Sequence, residues 1–109
     1  AAVALPAYRD YVAQAEGGAA MKGVSSWATK AQACVSTGLG CASLATEMTP
    51  VTQLSGSSAI AEGTASTLVW DTGTCSVTAT ISDAGGITYA AASTGAGATD
   101  EQCEEGAGL

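Results

Sequence analysis

The 109-residue chain contains no histidine, no phenylalanine and no asparagine, and only three of its residues are lysine or arginine. Without histidine, neither a Ser–His nor a Cys–His pair can form to activate a nucleophile. The absence of asparagine excludes N-linked glycosylation, while the many serine and threonine residues leave O-linked modification open. We therefore expect a protein that is not an enzyme and that uses no cofactor.

The few basic residues are also unevenly placed. They are Arg9, Lys22 and Lys30, against ten acidic residues, and the formal net charge is −7. The part after Lys30 holds eight acids and no base. Because a folded patch needs lysine or arginine to bind phosphate, we expect no direct contact with nucleic acid from this part of the chain.

Four cysteines are the expected crosslinks of a small domain with few large side chains. Aromatic residues make up only 5% of the chain, so its core must be built from small side chains that bury little area. No two cysteines have the close spacing of a zinc site, and histidine is absent, so disulfides are favoured over zinc or any other metal. Three pairings are possible and the sequence alone does not choose among them.

Among these pairings we favour Cys34 with Cys41 and Cys75 with Cys103. Neighbours in sequence meet easily, and a cysteine near the C-terminus often ties a tail to a sheet. Disulfides also indicate an oxidising compartment, such as the periplasm or the cell exterior.

The first segment, residues 1–36, predicts one long α-helix from about Val3 to Ser36. Pro6 is expected to bend it, because proline lacks an N–H and crowds the preceding turn. Glycines 17 and 18 either loosen the helix or allow close packing against a neighbour. Apolar residues at helical spacing predict the buried stripe: Val12, Ala15, Ala19, Val24, Trp27, Ala28, Ala31 and Val35.

The rest of the chain predicts a small antiparallel sheet between two irregular segments. Residues 37–66 are expected to form a connecting loop, with one helical turn near 43–48. Three strands are predicted within residues 67–92, at Thr67–Asp71, Cys75–Ser82 and Ile87–Ala92, and alternation in the second strand predicts that Val77, Ala79 and Ile81 face the helix. Residues 93–109 form an acidic tail held by the disulfide of Cys103. The predicted fold is therefore α+β: one domain over residues 1–109, with a long N-terminal helix packed on an antiparallel sheet and two disulfides.

Residues 1–16, AAVALPAYRDYVAQAE, carry the strongest functional signal. The run ALPAYRDYVAQAE resembles the type IV pilin family, in which a hydrophobic helix passes through an alanine-rich patch and a proline into a segment such as PAYxDYxxxA. A membrane-spanning helix needs ~20 apolar residues, and Ala1–Leu5 supply about a quarter of that number. We therefore expect a hydrophobic segment upstream, with the family's processing site, leading phenylalanine and early glutamate, which this chain does not contain.

The resemblance implies a structural subunit of a type IV pilus. Such a subunit is held in the inner membrane before assembly and then forms a homo-oligomeric helical filament on the cell surface, which supports adhesion, motility or DNA uptake. The residues that the resemblance assigns to the assembly helix are Ala1, Val3, Leu5, Pro6, Tyr8, Tyr11 and Val12. We also expect Arg9 or Lys30 to contact acidic groups of neighbouring subunits.

Two alternatives remain open. The first is a type II secretion pseudopilin, although pseudopilins commonly use bound calcium, not cysteine pairs, near the C-terminus. The second is a small secreted binding module held by disulfides. In that case Ala1–Leu5 would be a core segment or the remnant of a removed signal peptide.

Overall fold

The computed structural model describes residues 4–56, 60–95 and 97–109, with side chains described from residue 10 onward. Its elements in chain order are α1 (Ala4–Thr37), α2 (Cys41–Met48), β1 (Leu54–Gly56), β2 (Ser66–Asp71), β3 (Cys75–Ile81), β4 (Ile87–Ser93) and α3 (Asp100–Ala107). The strands form one antiparallel sheet in the order β1-β2-β3-β4. The predicted α+β architecture, a long N-terminal helix on an antiparallel sheet with two disulfides, is confirmed.

Side-chain alternation along the strands turns one face of the sheet toward α1. The predicted inward residues of β3, which are Val77, Ala79 and Ile81, are fully buried. Leu68 of β2 lies in the same layer. We call the sheet, α2, α3 and the part of α1 packed on them the head.

The buried stripe of α1 differs from the prediction in its N-terminal half. Ala15 and Ala19 are exposed and Val12 is only half-buried. The residues buried in that half are Ala13, Gly17 and Ala20. In the C-terminal half the buried residues include the predicted Val24, Ala28, Ala31 and Val35, whereas Trp27 is half-buried. In the N-terminal half, the predicted buried side of the helix was therefore wrong. Alanine occurs there on every side of the helix, so hydrophobicity alone does not indicate which side packs against the rest of the molecule.

Gly23, in the middle of α1, packs directly against the side chain of Trp70. A Cβ placed on Gly23 would overlap the indole ring of Trp70. The missing side chain therefore leaves a recess on α1 that the ring from β2 occupies. Such a recess lets one large side chain fill the space between helix and sheet in a core that otherwise has few of them.

The segment 37–66 is more ordered than the predicted connecting loop. It contains α2, whose first residue Cys41 is disulfide-bonded to Cys34 of α1. Leu44 of α2 is buried in the core. The segment also contains β1, which pairs with β2 and aligns Leu54 with Trp70. The disulfide and the burial of Leu44 together hold this short helix against α1.

The tail after Ser93 also differs from the prediction, because it ends in the helix α3. Thr99 caps the helix: its hydroxyl accepts a hydrogen bond from the Gln102 N–H, and the Gln102 side chain accepts one from the Thr99 N–H at 3.0 Å. Gly108 ends the helix in the left-handed region, at φ 81°. Cys103 within α3 forms the predicted disulfide with Cys75 of β3.

The two disulfides are expected to differ in their contribution to stability. Cys75–Cys103 joins residues 28 apart, whereas Cys34–Cys41 joins residues 7 apart. The chain-entropy model then gives about 3–4 kcal/mol for the longer loop and about 2 kcal/mol for the shorter one. Urea unfolding of the two double cysteine-to-alanine variants measures both costs, with each variant serving as the control for the other. Equal costs, or a larger cost for Cys34–Cys41, would contradict this expectation.

Candidate functional site

The described residues contain few groups that could bind a metal ion or act as a nucleophile. No group of three or more His, Cys, Asp or Glu side chains among them is placed to bind a metal ion. The four cysteines are all disulfide-bonded. None of the helices in the described ranges is long and apolar enough to span a bilayer.

The structure places only part of the predicted assembly helix. Ala1 and Val3 lie outside the described residues. Leu5, Pro6 and Tyr8 belong to the α1 backbone, but their side chains also lie outside the description, and the bend at Pro6 stays a prediction. Tyr11 is 72% exposed and Val12 is half-buried. These two residues come just before Ala13, the first buried residue among those whose side chains are described.

The side of α1 that faces away from the sheet carries mostly small, uncharged side chains. We call this set the outward face of α1; its exposed members are Tyr11, Ala15, Ala19, Lys22, Ser26, Thr29, Lys30 and Ala33. Steps of three and four residues keep them on one side of the helix. An ordinary surface helix carries charged residues on its solvent side. Here Lys22 and Lys30 are the only charged residues in the set, so most of the face can pack closely against another apolar surface.

The two described basic side chains have different surroundings. Lys30 Nζ lies 3.3 Å from Glu47 Oε1 of α2 and 4.7 Å from the centre of the Trp27 ring. Lys22 makes no ion pair with any side chain in the described ranges. The side chain of Arg9 is not among those described. Lys30 is thus already paired within its own chain, whereas Lys22 is open to an external acid.

The helices α1 and α3 touch each other through their backbones. A Cβ placed on Gly17 would overlap the carbonyl of Cys103, and a Cβ on Gly106 would overlap the carbonyl of Gln14. One from Gly18 would lie 3.2 Å from the Gly106 carbonyl oxygen. Of the two interpretations of the Gly17–Gly18 pair, the structure therefore supports close packing. α1 continues through both glycines, and α3 packs against them.

Two side-chain hydrogen bonds flank this backbone contact. The Gln14 amide donates to Glu105 Oε2 at 3.0 Å, and the Gln102 amide donates to Asp10 Oδ1 at 2.9 Å. Each joins an amide of one helix to a carboxylate of the other. The α1–α3 contact was not foreseen from the sequence, although the Thr99-x-x-Gln102 capping box signals the start of α3.

The end of the molecule near α3 is strongly acidic. Its exposed acids on the helix are Asp100, Glu101, Glu104 and Glu105. Asp10 and Glu16 of α1 are half-buried and lie on the helix segment that α3 crosses. Copies of this chain are therefore expected to repel one another through this end.

No family model, curated protein or solved structure matches this chain. A functional conclusion therefore depends on residues 1–16 and on the surfaces described above.

Substitution of Gly17 tests the backbone contact between α1 and α3. Alanine is favoured over glycine by about 1 kcal/mol in a helix interior, but overpacking typically costs 1–3 kcal/mol, and here the added methyl would meet backbone. We expect Gly17→Ala to lower the free energy of unfolding by about 1–2 kcal/mol. Gly18→Ala is the matched control, since its methyl needs only a shift of a few tenths of an ångström, and we expect a change within about 0.5 kcal/mol. Urea unfolding at fixed pH measures both, and equal effects would contradict the contact.

Proposed function

We propose that this chain is a structural subunit of a type IV pilus filament and that it assembles through α1. The single observation that carries the proposal is the outward face of α1, which runs along the same helix as the segment resembling that family. A helix whose solvent side carries few charged residues is suited to burial on both sides. The sheet covers one side of α1 within the subunit, and neighbouring subunits would cover the other.

The length of α1 supports this arrangement. Its 34 residues correspond to about 51 Å of helix, and the longest dimension of the molecule is 54 Å. Residues 4–9 form the N-terminal end of α1 and account for about 9 Å of this length. Their sequence, ALPAYR, is mostly apolar and would pack among the helices of neighbouring subunits.

The two disulfides are consistent with a subunit at the cell surface. Two disulfides persist in an oxidising environment. A hydrophobic segment upstream of Ala1 would hold the subunit in the inner membrane before assembly. Contacts in the filament would be heterologous, because a helical assembly joins different patches of successive copies. Adhesion, motility and DNA uptake are the roles that such a filament would support.

The coding sequence upstream of Ala1 and the location of the protein test this proposal together. We expect a short basic leader, a glycine before a phenylalanine and a glutamate soon after it, and we expect the chain in filaments sheared from the cell surface. A signal peptide that ends directly before Ala1, with a monomeric secreted product, would overturn the proposal in favour of a secreted binding module. Absence from surface filaments, together with dependence of protein secretion on this chain, would favour a pseudopilin instead.

A substitution on the outward face of α1 tests the assembly surface. Ala19 is exposed, so Ala19→Arg should leave the free energy of unfolding of the head within about 0.5 kcal/mol of the parent. In a filament, the same arginine would place a charge between packed helices. We expect the yield of sheared filament to fall at least about tenfold, which corresponds to roughly 1.4 kcal/mol.

Thr80→Arg is the matched control, because Thr80 is an exposed position on the sheet face away from α1. We expect this variant to assemble like the parent. Normal filament yield from Ala19→Arg, or equal losses from both variants, would show that the outward face of α1 is not the assembly surface.

A further inference from the structure

The two disulfides differ in how far solvent can reach them. Cys75 and Cys103 are both fully buried beneath α1, where Cys75 Sγ lies 3.4 Å from the Ala13 carbonyl oxygen. Cys34 is also fully buried, but its partner Cys41 is only half-buried. Because a reducing thiol must contact a sulfur atom to break the bond, Cys34–Cys41 is the disulfide that it can reach in the folded head.

The packing of α2 on α1 is incomplete beside this disulfide. A groove of about 190 Å³ lies between the two helices. Its lining includes Ala33 of α1, Leu44 and Glu47 of α2, and Gly40. Gly40 directly precedes Cys41 in the chain. The groove therefore extends to the end of α2 at which the disulfide is formed.

Few contacts other than the disulfide hold α2 in place. Within the described ranges, no backbone hydrogen bond joins α2 to α1 or to the sheet. Leu44 is the one buried residue of α2. The ion pair of Glu47 with Lys30 is about half-exposed and contributes little. The helix has only eight residues, too few for a stable helix in water, and its N-cap makes no side-chain hydrogen bond. Its position therefore depends strongly on the disulfide.

α3 has the same length as α2, but contacts that are independent of its disulfide hold it in the head. Its backbone touches that of α1 at Gly17 and Gly106, and a capping box closes its N-terminal end. Two amide–carboxylate hydrogen bonds join it to α1, and Asp100 accepts a third from the Ser93 N–H at 2.8 Å. These contacts keep α3 in place over the second disulfide, so a reductant does not reach that bond while the head is folded.

We propose that Cys34–Cys41 is a reducible disulfide that controls the docking of α2, while the second disulfide stays closed in the folded head. The reductant is a dithiol. When the bond opens, α2 leaves α1, and α1, the sheet and α3 remain folded. Lys30 then loses Glu47 as its acidic partner, so the reduced form differs from the oxidised form at the outward face of α1. This device does not depend on the proposed filament.

The reduction consists of two thiol–disulfide exchanges. A thiolate of the dithiol attacks Cys41 Sγ, a bond forms between these two sulfurs, and Cys34 Sγ leaves with the electron pair of the broken bond. The second thiolate of the dithiol then attacks the reductant sulfur, closes the reductant's own disulfide and releases Cys41. Two electrons and two protons pass from the dithiol to the two cysteines. Cys34 Sγ lies 3.4 Å from the Ile60 carbonyl oxygen, which can accept a hydrogen bond from the new thiol.

Limited reduction of the folded chain with dithiothreitol tests the difference between the disulfides. After alkylation of the free thiols, cleavage after Glu16 and Glu47 places Cys34 and Cys41 together on the fragment 17–47, and the other two cysteines lie on later fragments. We expect the disulfide within this fragment to be reduced at least about tenfold faster than the other one. The control is the same reaction in concentrated urea, where both bonds are exposed and the difference should disappear.

Hydrogen exchange tests whether the opened bond releases α2. In the selectively reduced chain, amides of residues 44–48 should exchange at least about tenfold faster than in the oxidised chain, while those of β3 and α3 keep their rates. A variant that combines Cys34→Ala with Cys41→Ala should show the same loss of protection in α2 without any reductant. Dithiothreitol should then cause no further change in α2 of this variant.

Three outcomes would overturn the proposal. The first is reduction of Cys75–Cys103 in the folded chain as fast as Cys34–Cys41, or faster. The second is unchanged protection of α2 after its disulfide has opened, which would show that Leu44 and the ion pair hold the helix without it. The third is loss of protection in α3 and β3 together with α2, which would show that the bond stabilises the whole head and does not control one helix.

Discussion

The direct backbone contact between α1 and α3 at Gly17 and Gly106 is the constraint on which the rest of the head depends. Because no side chain separates the helices, Cys103 of α3 lies close enough to β3 to be disulfide-bonded to Cys75. The chain has no phenylalanine and few aromatic residues, so its core buries little area per residue. Close backbone contact and a long-range disulfide supply the cohesion that large side chains provide in other small domains.

The parts of the fold that could be predicted are those with a local physical signal. Polar and apolar residues alternate along β3, and this alternation correctly indicated that Val77 and Ile81 face the helix. In α1 the C-terminal half of the buried stripe was also predicted, because valine marks its phase at Val24 and Val35. The N-terminal half has alanine and glycine on all sides, so its phase is set by the contact with α3 and not by local hydrophobicity.

The segments that were missed or only partly predicted are short helices whose stability depends on tertiary contacts. α2, of which one turn was predicted, is held by the favoured Cys34–Cys41 disulfide and by the burial of Leu44, which local composition does not show. For α3 a local signal existed in the capping box at Thr99, but the Gly/Ala-rich, acidic composition concealed it. The predicted assembly residues pose a different problem: Tyr11 is exposed, and in the proposed filament the groups that would bury it belong to other copies of the chain.

The distribution of charge limits which surfaces of two copies of this chain can meet. Copies carrying a net charge of −7 repel one another at long range, and the acidic end at α3 adds to this repulsion. Contact is therefore favoured only through surfaces that hold few acids and offer many close contacts. The outward face of α1 offers small side chains, so close packing there can compensate for the repulsion. The same acids that keep copies of this chain apart thereby restrict which surfaces can meet.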